Sequence, residues 1–215
     1  MPQPPLPTPP SRPPPFLITS PLQLYRSPLT LLEVLRGLRV RMPCPVNSLD
    51  SLAPLVASLR TLSGWSEFTQ TRLPHALQTF LALSETMVLD YTSSPPAPPQ
   101  VLRSSYAMSI VRGVNGLADA VQPSKLSKSS VSSLAGRLGL PGWIVDVRHD
   151  ASHNDLPSLD VLRLAAGHLL EFLRAQYVEV KIREIEDWRS YVVELCRLYR
   201  AREGGRGGKA EIAKA

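Results

Sequence analysis

Cysteine is scarce in this chain. Its 215 residues hold two, Cys44 and Cys196, far apart in sequence and neither in a metal-type pair. That excludes a disulfide framework and makes a reducing, intracellular compartment the simple expectation. Long apolar runs are missing as well, so no segment approaches the roughly 18 residues that span a bilayer. The first residues lack the cationic start and apolar block of a secretory signal. Strand-type alternation is absent over any useful length, which leaves helices as the building material. Proline is plentiful but uneven: of 22, nine fall within Met1–Pro15, and Pro95, Pro96, Pro98 and Pro99 cluster in one short stretch. Those segments read as an extended tail and a loop. Net charge is +6 and the pI about 9.6, a balance that favours an anionic partner such as nucleic acid.

Between the proline-rich stretches the apolar residues step by three and four. Leu31, Leu32, Val34, Leu35 and Leu38 make one helical face, ending before Pro43 and Pro45. Leu49, Leu52, Val56 and Leu59 make a second, capped by Asn47 or Ser48 and broken at Gly64-Trp65. Leu73-Pro74 opens a third, with Leu77, Phe80, Leu81, Ser84, Val88 and Tyr91, which the loop 93–100 stops. From Val101 to Val121, Leu102, Tyr106, Ile110, Val114, Leu117 and Val121 draw a fourth stripe, with Gly113 and Gly116 leaving room for a neighbouring backbone. After a polar linker, Ser124–Ser133, a short helix through Leu134 and Leu138 ends at Gly139. Trp143–Val147 starts the next. Ser158 can cap a seam of Leu159, Leu162, Ala166, Leu169 and Leu173, and a charged helix with Ile182, Ile185, Val193 and Leu198 runs from Lys181 toward the flexible Gly204–Gly208. The expected fold is all-α, a bundle of five to seven helices. The expected divisions are a proline-rich tail over 1–21, a helical domain over 22–178 and a charged helix with a glycine-rich tail over 179–215.

One hexapeptide stands apart. Arg148-His149-Asp150-Ala151-Ser152-His153 holds half of the chain's four histidines. On a helix His149 and His153 share a face, with Arg148 one step round the cylinder. Two imidazoles can take and give protons near neutral pH, and a guanidinium matches phosphate oxygens. The same spacing is also half of a zinc site, for which only His75, His168, Cys44, Cys196 and carboxylates remain as further ligands. It equally suits a solvated polar face. His168 lies off its helix's apolar seam and reads as surface.

The ordered set Ser105-Tyr106-Ala107-Met108, Asn115-Gly116-Leu117, Gly139-Leu140-Pro141-Gly142-Trp143 and Arg148-His149, closing with His153 and Asp155-Leu156-Pro157-Ser158-Leu159, resembles the HEPN (higher eukaryote and prokaryote nucleotide-binding) domain of the Las-type endoribonucleases, which process ribosomal RNA precursors. The resemblance covers about 101–177 and extends weakly back to Leu73-Pro74-His75-Ala76. It implies an HEPN-type helical bundle and metal-independent cleavage with no cofactor. The ribose 2′-OH attacks the neighbouring phosphorus, leaving 2′,3′-cyclic phosphate and 5′-OH ends. Arg148, His149 and His153 are the implied catalytic residues, one histidine as base, the other as acid, with Arg148 on the non-bridging oxygens. Arg103, Arg112, Lys125 and Lys128 are the expected RNA-binding cations. A homodimer is implied, part of its interface expected from the motif helix and the Leu159–Leu173 helix, with ordinary core as the equal alternative for that helix's seam. So are a pre-ribosomal RNA substrate cut in an internal transcribed spacer, a nuclear, nucleolar location without membrane attachment, and a polynucleotide 5′-kinase partner. Family members dock that kinase through a long region beyond the point where this sequence stops, so the chain is either a compact member or a fragment. The alternative, from another functional class, is a non-catalytic HEPN-like module that binds RNA or scaffolds a partner.

Overall fold

A computed structural model describes residues 6–11, 28–41, 52–68, 73–120 and 130–212. Among them every regular element is helical. The chain falls into two compact units, Glu33–Glu179 and a second made of Met1–Leu32 with Val180–Ala215.

Helix α1 spans Pro28–Gly37 and buries the expected face, Leu31, Leu32, Val34, Leu35 and Leu38. Helix α2 covers Ala53–Phe68, with Pro54 in its first turn, where a missing N–H costs nothing. Its buried line is Leu52, Leu55, Leu59 and Leu62, whereas Val56 is only half-buried. The expected break at Gly64-Trp65 does not occur, and α2 runs through both residues. A glycine costs a helix only about 1 kcal/mol, less than the burial of Leu55, Leu59 and Leu62 supplies. The expected caps Asn47 and Ser48, with Leu49, Cys44 and Val121, lie outside the described residues.

Helix α3, His75–Thr92, packs on α4, Pro99–Ala120. The connecting loop ends two residues earlier than the expected 93–100, because Pro99 is accepted in the first turn of α4. Helix α4 is central to the larger unit, touching α3 and then α5 (Val131–Leu138), α6 (Gly142–His153) and α7 (Leu159–Leu173). It presents Leu102, Tyr106, Ala107, Ile110, Val114 and Ala118 inward. Gly113 and Gly116 admit side chains of α3 rather than a backbone: a Cβ on Gly113 would meet the Thr79 methyl, and one on Gly116 the His75 ring.

The seam on α7 is interior. Leu162, Ala166, Leu169 and Leu173 are buried together with Ala165 and Leu170 and are core, Leu159 is half-buried, and Val161 and Leu164 on the other face of the helix are exposed. Helix α7 is followed by a π-helical stretch, Arg174–Val178, and by α8, Glu179–Ile212. The backbone of Gly204–Gly208, expected as linker, belongs to α8. The distal side chains Val192, Val193, Leu195 and Tyr199 are exposed.

Two polar devices hold the larger unit. Arg174, itself buried, donates from Nε to the Leu38 carbonyl at 3.0 Å and from Nη1 to Glu171, and lies 5.6 Å from the centre of the Phe80 ring. Asp90 on α3 accepts from Tyr106 of α4 at 2.9 Å and from Nε and Nη2 of Arg163 on α7, each at 2.8 Å. One buried carboxylate thereby ties three helices.

Candidate active site

The site is assembled where α6 ends beside α4. Gly139, in the left-handed conformation at φ 77°, closes α5 as only glycine does without strain. Its N–H donates to the Gly136 carbonyl, and that of Leu140 to the Ala135 carbonyl, both at 3.0 Å. The chain so turned enters α6, whose Ile144, Val145 and Val147 are buried. These β-branched residues are indifferent helix formers, so packing against α4, α5 and α7 holds α6 in place. Trp143 adds an edge-on contact with His168 of α7, ring centres 5.3 Å apart and planes at 87°.

With that face fixed inward, His149 and His153 point to solvent from successive turns. Their ring centres lie 5.0 Å apart, inclined at 48°. Arg148, half-buried between the apolar face and the histidines, donates from Nε to Oδ1 of Asn115 on α4 at 2.7 Å. The helix end is closed locally: the Ser152 hydroxyl donates to the Arg148 carbonyl at 2.8 Å, and Asn154 donates from its backbone and from Nδ2 to Asp150, each at 2.9 Å. Among the described residues no group of three His, Cys, Asp or Glu side chains comes together as a metal site.

The expected RNA-binding cations fare differently. Arg112 is exposed on α4, one turn before Asn115. Its carbonyl accepts from Nε2 of His75 at 3.0 Å. It also borders a cavity of about 270 Å³ with His75, Thr79, Glu85 and Met108. Burial, with the nearby Glu67 charge, holds the Glu85 carboxyl above its ordinary range. Arg103 is committed within the fold, donating to the carbonyls of Leu156 and of Pro157, the latter at 3.1 Å, and to Gln100 Oε1 at 3.2 Å. It fastens the loop after the histidine motif to α4. Lys125 and Lys128 lie outside the described residues.

Sequence reasoning missed the part played by Asn115. The signal was there: an amide interrupting an apolar helix face, three residues after Arg112 and beside the small Gly116. It also missed the link between Asp90, Tyr106 and Arg163, which no local pattern joins.

The geometry now has relatives to stand beside. A family described as Las1-like matches residues 25–180, most of the chain. The chain belongs to the Las1-like family. It is 37% identical over 109 residues to "Protein LAS1" of Saccharomyces cerevisiae, an alignment covering 49% of this chain and 22% of the yeast protein. To "Pre-rRNA-processing protein las1" of Schizosaccharomyces pombe it is 32% identical over 129 residues, 60% of this chain and 25% of that one. To "Ribosomal biogenesis protein LAS1L" of Mus musculus it is 26% identical over 120 residues, 56% and 15% of the two. The matched stretch is therefore at most a quarter of these Las1-like relatives. For the Las1-like family as a whole, the match spans α1 through α7 and holds the motif of α6 and its α4 partner.

Proposed function

We propose that this chain acts in ribosomal RNA processing as an endoribonuclease, cutting a pre-ribosomal spacer with the substrate's own 2′-OH as nucleophile. The observation that carries this is the group at the end of α6: two exposed imidazoles with centres 5.0 Å apart, and beside them an arginine held at its Nε. One imidazole takes the proton of the 2′-OH as oxygen attacks phosphorus, and the other protonates the departing 5′ oxygen. Each step contributes roughly 10²- to 10⁴-fold. Arg148 meets the charge building on the non-bridging oxygens. DNA lacks the hydroxyl and is spared. The names of the Schizosaccharomyces and mouse relatives, which speak of pre-rRNA processing and ribosomal biogenesis, suggest the process; the residues suggest the chemistry.

The reading extends to a homodimer, in which two such motifs across a two-fold axis line one groove, to a nuclear place of work, and to a polynucleotide 5′-kinase as partner. The test is incubation of the purified protein with a structured pre-ribosomal spacer RNA in EDTA. New 2′,3′-cyclic phosphate and 5′-OH ends support the proposal. Cleavage that EDTA abolishes, or 3′-OH and 5′-phosphate ends, would replace it with metal-dependent hydrolysis. Tight RNA binding without any cut would leave the non-catalytic module.

A further inference from the structure

Arg163, Arg174, Arg41 and Arg103 of the larger unit are held in one of two ways. Arg163 donates to Asp90 and Asp160, and Arg174 and Arg41 both reach Glu171, so carboxylates cancel their charges. Arg103 meets no carboxylate, but Nε, Nη1 and Nη2 all have acceptors inside the fold. Arg148 matches neither pattern. Its Nε alone is bound, by a neutral amide oxygen, and among the described residues Nη1 and Nη2 have no partner and no carboxylate pairs with it.

We infer that Asn115 is a positioning residue that reserves Arg148 for a phosphate anion, an inference that rests on the cleavage reading above and adds a residue to it. An arginine can only donate, so the amide must turn Oδ1 toward it, and that bond anchors the guanidinium at Nε. Both terminal nitrogens, with four N–H groups, are left without a partner among the described residues, on the residue next to His149. That is the side of the fork that grips two phosphate oxygens at once. The choice of amide over carboxylate is the essential point. Aspartate at 115 has the same shape and would hold Nε more tightly, but it would cancel the charge that the phosphate needs. An acceptor that orients without neutralising keeps the cation available, and preorganisation of this kind acts on the transition state without a rearrangement at the moment of reaction.

The deciding experiment compares Asn115→Asp and Asn115→Ala with the parent protein. Turnover is measured on one spacer RNA, and the salt dependence of RNA affinity is measured in a His153→Ala background that does not consume the RNA. The expected result for Asn115→Asp is an unchanged melting temperature, kcat lower by about 10-fold or more, and a log–log salt slope shallower by about 0.7–0.9, one phosphate contact. Asn115→Ala should lose kcat, keep KM and keep the slope, because its arginine is misaligned but still charged. A merely structural asparagine would tolerate the isosteric aspartate, so wild-type kcat and slope in Asn115→Asp would overturn the inference. Equal losses in both variants with the slope unmoved would overturn it too. If the parent protein makes no cut, the endoribonuclease reading fails by itself and the slope alone decides: shallower in Asn115→Asp supports the reserved cation, unchanged refutes it. Should Asn115→Asp not fold, Asn115→Ala decides, since wild-type turnover there would refute any positioning role.

Discussion

Arg163 of α7 grips Asp90 of α3 with two bonds of 2.8 Å each, while Tyr106 of α4 donates to the same carboxylate at 2.9 Å. Asp90's side chain is 2% exposed and that of Arg163 35%. Taking a carboxylate out of water is costly unless its partners stay in place. Arg163→Ala should therefore destabilise the larger unit by about 2–3 kcal/mol, below the figure for a wholly buried pair because water reaches the arginine. Urea denaturation checks this, and a loss under about 0.5 kcal/mol, the usual size of a surface change, would mean the pair is not a structural tie.

The same triad sets the pH limits of stability. The Arg163 bond, aided by Tyr106 and opposed by burial, holds the Asp90 carboxyl below its ordinary range. Its stabilisation is complete above the unfolded carboxylate's pKa, near 3.9, and is lost as pH falls through the lower folded value. Burial and the Asp90 carboxylate push the Tyr106 hydroxyl up. Its contribution is complete below about pH 10, where an unfolded tyrosine titrates, and fades as pH rises beyond that. Melting temperature should fall below the acid limit and above the alkaline one. In Tyr106→Phe the alkaline decline should weaken, and an unchanged alkaline limb would assign it to other groups.

His149→Ala and His153→Ala should each lower turnover by roughly 10²- to 10⁴-fold with RNA affinity close to that of the parent protein. Both rings are exposed at the end of α6, so neither substitution removes core. The parent rate should decline toward acid and toward alkali, since one ring must be free to accept and the other charged to donate. A level profile through about pH 5 to 8, the span in which histidine ordinarily changes charge, would count against two working imidazoles.

Arg103 offers a separation of roles. Its bonds go to Gln100 and to the carbonyls of Leu156 and Pro157. Arg103→Ala should accelerate amide exchange in 154–158 and lower stability by about 1–3 kcal/mol, as when a charged donor leaves buried acceptors behind. The salt slope of RNA binding should stay as it was. A shallower slope would instead show that Arg103 leaves the loop to contact phosphate.

Gly113→Ala should destabilise by about 1–3 kcal/mol through overpacking, despite alanine's better helix propensity, because the new methyl meets the Thr79 methyl of α3. Thr79→Ala in the same protein should restore most of the loss. A double variant no more stable than Gly113→Ala would place the strain elsewhere.

By itself the sequence determined that this protein is helical and where most helices run. Period and punctuation are local properties, written in Leu31–Leu38, in the stripe of α4, at Gly139 and at Ser158, whose hydroxyl accepts from Val161 N–H. It also determined that His149 and His153 share a face, because four residues make about one turn. Other matters needed the tertiary structure. Gly64 did not break α2, since burial outweighs the propensity of one residue. The α7 seam proved to be core, because periodicity marks a buried face without naming what covers it. Above all, Arg148 took its neutral partner from α4, 33 residues earlier, and Arg103 its carbonyls more than 50 residues later. Whether an arginine is spent on the fold or left for a ligand depends on which acceptors the packed helices bring within 3 Å, the reach of a hydrogen bond. Such distances exist only once the chain has folded.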